Sequence, residues 1–86
     1  MASARRRPER PMPDLGNVPV HVRDVIESLI TRNRRDMRAH GRTSVGDEWL
    51  DAFLEGMYAG RALRTRDDVN RVHAAIKRDL MDTLTE

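Results

Sequence analysis

At 86 residues the chain has room for one core and not for two, and 38% hydrophobic against 35% charged side chains makes that core lean. Without a cysteine there is no disulfide framework and no thiolate metal site, and no apolar run approaches the ~18 residues of a membrane span. The net charge of +2 sits in residues 1–17, where four arginines oppose Glu9 and Asp14; residues 18–86 balance twelve basic against twelve acidic side chains, so charge alone does not mark the body as a nucleic-acid binder.

The chain opens with "MASARRRPERPMPDLG". Arg5, Arg6 and Arg7 are followed by no apolar h-region, and Glu9, Asp14 and three prolines interrupt any amphipathic helix, so neither a secretory signal nor a transit peptide is read here. Met12 and Leu15 are its only large apolar residues after Met1, too few to offset ordering, and residues 1–17 are therefore expected to form a disordered basic tail. Met12 is a second candidate start. Fifteen of the sixteen basic residues are arginine, a bias that points to GC-rich coding and a bacterial or phage source. A cytoplasmic protein is expected.

Residues 18–86 read as one all-α domain of three helices, spanning about 19–40, 45–59 and 66–84. In the first, Val22, Val25, Ile26, Leu29, Ile30 and Met37 follow helical spacing. Asn17 is the expected N-cap, Pro19 suits the first turn and Gly41 the C-terminal stop. Val18, Val20 and Val22 also alternate as a short strand would, but Pro19 restricts that to an edge strand and helix is preferred. Ser44 is expected to cap the second helix, and Thr65 with Asp68 three residues on resembles a capping box for the third. There Val69, Val72, Ile76, Leu80 and Leu84 form one stripe. The expected core is Val22, Val25, Ile26, Leu29, Ile30, Trp49, Leu50, Phe53, Leu54, Met57, Val69, Val72, Ile76, Leu80 and Leu84.

Catalysis finds no support in the residues. His21, His40 and His73 are scattered, no phosphate-cradling glycine loop occurs, and Asp67-Asp68 sits where a helix cap needs acids. The expectation is a non-enzyme with no cofactor, no metal and no small-molecule substrate. Two single residues stand out. His73 borders the third stripe and reads as a half-buried histidine with one nitrogen satisfied. Asn33 falls on the first stripe; it faces water if the helix has left the core by then, or fixes a helix register if it has not.

The second helix, "DEWLDAFLEGMYAG", holds all three aromatic residues and no basic one. Trp49, Leu50, Phe53, Leu54, Met57 and Tyr58 cover about half its circumference, wider than the ~100° of an ordinary surface helix. Such an arc packs on two neighbours or keeps some face for a third, and Trp and Tyr are enriched at interfaces. The acidic strip on its other side argues against a membrane-surface role. The expected function is a small protein-binding regulator or adaptor, self-associating or binding a protein partner, with Trp49, Asp51, Phe53, Glu55 and Tyr58 as its contact residues.

The alternative is DNA or RNA binding through phosphates. Arg34, Arg35, Arg38 and Arg42 crowd one helical face, Arg61, Arg64 and Arg66 lie in or beside the last loop, and Arg5, Arg6 and Arg7 extend the set. The competing reading is a solvated face paired with the carboxylates of the second helix. No helix-turn-helix fits, because the turn from Gly60 to Arg64 is long and Asp67 and Asp68 would face phosphate. Pro19 also interrupts the ribbon that a ribbon-helix-helix dimer would need.

Overall fold

A computed structural model describes residues 10–86; within them the chain forms α1 (Val20–His40), α2 (Asp47–Ala59) and α3 (Arg66–Leu84), with no strand. No described helix is long and apolar enough to cross a membrane. The third helix is the centre of the fold: it packs against both others, whose backbones do not approach each other closely. The pairs Arg34–Asp79 and Arg38–Glu86 climb together, so α1 and α3 run parallel, while Asp47–Lys77 and Asp51–His73 set α2 antiparallel to α3. The wide arc of α2 thus has one close helix neighbour, α3, among the described residues.

Local chemistry explains where the helices stop. Thr65 and Asp68 complete the reciprocal capping box expected at α3, the threonine hydroxyl accepting from Asp68 N at 3.1 Å. Gly41 ends α1 in the left-handed conformation, its N–H donating to Met37 O. Asn17 and Ser44 do not act as caps: Pro19 and Gly46 occupy those positions, and neither supplies a side-chain bond. After α2 the left-handed residue is Arg61 (φ 64°) and not Gly60. Its N–H donates to Tyr58 O and that of Ala62 to Met57 O, the paired bonds of a Schellman turn. A non-glycine residue there carries strain of about 1–2 kcal/mol.

The core contains Val22, Ile26 and Ile30 of α1, Leu50 and Leu54 of α2, and Val69, Val72 and Ile76 of α3. Leu29, Phe53, Met57 and Leu80 pack against it half-buried. Three residues expected in the core are outside it: Val25, Trp49 and Leu84 are 48%, 46% and 57% exposed. Three others complete it. Leu63 plugs it from the α2–α3 connection, and Leu15 and Val18 enter from the N-terminal side.

Residues 10–17, which composition assigns to the tail, thus lie against the domain as a strap. Asp14 Oδ1 accepts the Gly16 N–H at 2.8 Å, a tight turn that delivers Leu15 inward. Gly16 has φ +75°, so its backbone calls for glycine; a Cβ there would meet only the flexible end of the exposed Arg71 side chain, which can move aside. Residues 1–9, with Arg5, Arg6 and Arg7, lie outside the described residues.

Candidate interaction surfaces

Charged side chains meet at two internal seams. In the first, the stripes of α1 and α3 change from apolar to polar at the same end of the domain. Ile30 is followed by Asn33 and Arg34, and Ile76 by Asp79 and Thr83, and all four polar residues are buried. Arg34, 1% exposed, directs Nε to Asp79 Oδ2 at 3.0 Å and Nη2 to Oδ1. Its Nη1 and Nη2 also donate to the backbone carbonyls of Arg10 (2.9 Å) and Pro11 (3.1 Å), tying the strap to the core. Arg10 reaches back to Asp79 Oδ1 at 3.2 Å, Thr83 Oγ1 at 2.6 Å and the Glu86 carboxylate, which also accepts from Arg38 Nε at 2.9 Å and Nη2 at 2.7 Å.

Arg34 is therefore not a surface phosphate ligand, as the arginine-cluster reading would have it. A buried guanidinium in contact with a buried carboxylate is held in the interior because both charges are paired and the remaining donors are satisfied. The signal was present in the sequence as charged residues in the next helical turn of two apolar stripes. Asn33 is likewise buried, contrary to the water-facing reading. Its Oδ1 accepts from Thr43 Oγ1 at 2.9 Å, fastening the α1–α2 loop, and its Nδ2 finds no partner among the described residues.

The second seam joins α2 to α3. Asp47, Asp51 and Glu55 recur every four residues on one face, and their partners on the antiparallel α3 are Lys77, His73 and Arg66. His73 Nε2 lies 3.0 Å from Asp51 Oδ1, and Arg66 Nη2 lies 2.8 Å from Glu55 Oε2 while its guanidinium covers the Tyr58 ring at 4.9 Å. Asp51, Glu55 and Tyr58, expected to offer a partner surface, are thus engaged within the chain, as is Arg66, expected to meet phosphate. Half-buried His73 has one ring nitrogen on a carboxylate, in keeping with its sequence reading.

Hydrogen bonds from Lys77, Arg66 and Arg38 hold the carboxyls of Asp47, Glu55 and Glu86 below their ordinary pKa values. A carboxyl with a lowered folded-state pKa contributes stability that is complete above its unfolded value and is lost as pH falls through the folded one. Stability measured by urea denaturation is expected to be level between about pH 5 and 7 and to decline below about pH 4. All three groups are exposed to solvent, so the decline should also be smaller in high salt. An unchanged midpoint at pH 2.5–3 would contradict this role for the seams.

What remains for the outside is simpler than the sequence implied. Trp49 stacks on half-buried Phe53, with ring centroids 5.0 Å apart and planes within 14°, on the edge of α2 away from the acidic face. Among the arginines of the sequence-predicted phosphate set, Arg35, Arg42, Arg61 and Arg64 are exposed and form no ion pair among the described residues. They do not form one patch by sequence segment: two belong to α1 and its exit, two to the α2–α3 connection. Among the described residues no three His, Asp or Glu side chains gather as a metal site. Comparison of the chain with protein-family models, curated proteins and solved structures finds no match.

Proposed function

We propose that the chain is a small non-catalytic regulator or adaptor of the cytoplasm that binds protein through the Trp49–Phe53 edge of α2. The observation that supports this is the 46% exposure of its single tryptophan, stacked on a second aromatic ring while three carboxylates of the same helix are occupied by α3. A large rigid aromatic pair offers contact area at little cost in side-chain entropy. The partner is a protein of apolar contact chemistry, either a second copy of the chain or another polypeptide.

Sedimentation together with affinity capture from the native host, with and without nuclease, tests the reading. Trp49→Ser is expected to stay folded, at a cost of about 1–2 kcal/mol for the lost stacking and burial, and to lose self-association or the captured protein. A lone monomer that captures no protein, or capture indifferent to Trp49→Ser, would count against it. The second reading is contact with nucleic-acid phosphates. It keeps support from Arg61 and Arg64, exposed and near in sequence, and loses support from Arg34, Arg38 and Arg66, whose guanidiniums serve internal carboxylates.

A further inference from the structure

We propose that the corner between α2 and α3 is a phosphate-binding site, formed by the guanidiniums of Arg61 and Arg64 beside Tyr58. The inference is independent of the protein-docking reading and sharpens the nucleic-acid one. The surface here is concave and lined by Tyr58, Ala59, Arg61, Leu63 and Arg64. Its first notable feature is a misplaced glycine. Gly60 sits at φ −82°, a backbone any residue adopts, though a Cβ there would come 3.3 Å from Gly56 O, and the next position, which is left-handed, carries arginine. Strain of this kind persists where the side chain is needed and the surrounding structure enforces it.

The ordinary use of an arginine after a helix is to cap its last carbonyls. Backbone N–H groups already do that here: Gly60 N serves Gly56 O, Arg61 N serves Tyr58 O, and Ala62 N and Leu63 N serve Met57 O. Pairing with a neighbouring carboxylate is the other ordinary use. Glu55 is taken by Arg66 and Asp68 by the capping box. Asp67, in the first turn of α3, makes no ion pair with either arginine. Among the described residues, neither guanidinium has an ion-pair partner, and both are exposed.

The backbone that carries them is held in place. Leu63, 1% exposed, anchors the connection between them, the Schellman turn fixes the backbone on one side, and the Thr65 capping box fixes it on the other. Planar guanidinium forks match the oxygens of a phosphate and bind it in paired hydrogen bonds. A phosphate can arrive on a nucleic-acid strand or on a small ester, and the chemistry recognised is the same.

The test follows backbone amide resonances of the full chain during two titrations at matched ionic strength, one with inorganic phosphate against chloride and one with a short single-stranded oligonucleotide. Variants R61G and R64Q are compared with R32Q, which removes one exposed arginine of α1. In the wild type, phosphate should move the amides of residues 58–66. R61G and R64Q should each weaken phosphate binding about tenfold, with R32Q unchanged. R61G should at the same time melt roughly 4 °C higher, because glycine relieves the left-handed strain.

A more stable R61G that no longer binds phosphate is the signature of a strained residue retained for its ligand. Phosphate affinity equal in wild type, R61G and R64Q, or equal losses in R32Q, would overturn the proposal. Phosphate binding without oligonucleotide binding would uphold the corner and end the nucleic-acid reading. Oligonucleotide binding indifferent to R61G and R64Q would overturn the corner as that reading's contact.

Discussion

Arg34→Ala is expected to lower stability by about 3–5 kcal/mol, the usual consequence of leaving a buried charge without its partner. The whole domain should hold only about 4–13 kcal/mol, at roughly 0.05–0.15 kcal/mol per residue. The variant is therefore left with between no net stability and about 10 kcal/mol. The loss has three parts: Asp79, 6% exposed, keeps only Arg10 as its cationic partner among the described residues, the Arg10 and Pro11 carbonyls lose their buried donor, and a guanidinium-sized space opens between α1 and α3. The double variant Arg34→Met, Asp79→Leu removes both charges and fills the volume. It should recover most of the loss, since replacing a buried pair by apolar residues of similar size is often neutral or better. Equilibrium urea denaturation of the single and double variants reads both. If Arg34→Ala changes stability by less than about 0.5 kcal/mol, as for a surface residue, the buried pair is not where the structure puts it.

Leu15→Ala gives the second large effect, about 2–4 kcal/mol, the range for removing a buried leucine side chain. Leu15 is 3% exposed and seated with Val18 and Val22. A leucine in a disordered tail would contribute almost nothing, so this substitution separates the strap from the tail. The cost has a ceiling, because the strap can undock before the rest of the domain yields. Amide exchange should accordingly quicken first in residues 10–18. Stability and exchange both unchanged from the wild type would return these residues to the tail that their composition describes.

The fold was legible in the sequence to the extent that apolar periodicity dictates it. Three helices appear where the stripes lie, the last with the expected bounds and cap, and the eight central aliphatics of those stripes are buried. The departures have physical reasons. Leu84 continues the α3 stripe by spacing, yet Asp79 and Thr83 take the inward positions of the last turns because Arg34 and Arg10 face them. Periodicity scores a charge as outward-facing and is blind to a partner 45 residues away. Leu15 and Val18 escaped notice because an extended segment has no helical period to reveal its inner face.

The candidate surfaces were less legible than the fold. The acidic strip of α2 is visible in the sequence, but its use depends on which neighbour lies beside it, and Lys77, His73 and Arg66 become that neighbour only once α3 runs antiparallel. The arginines divide similarly. Arg34, Arg38 and Arg66 look no different in sequence from Arg35, Arg61 and Arg64, and only the carboxylates around them separate internal from external use. Arg61 carries one further mark, its left-handed φ, which sequence hides behind the glycine next to it.

Protein binding through α2 requires Trp49 to be a surface residue of the folded protein, and Trp49, the chain's single tryptophan, gives a direct optical signal. The decisive measurement is quenching of Trp49 fluorescence by acrylamide, recorded against protein concentration and again with the captured partner. In dilute, folded protein the tryptophan should be open to quencher, and it should become protected, with emission shifted to the blue, as self-association or partner binding covers it. A Trp49 shielded in the dilute folded monomer, or one equally quenched with and without its partner, would contradict the account.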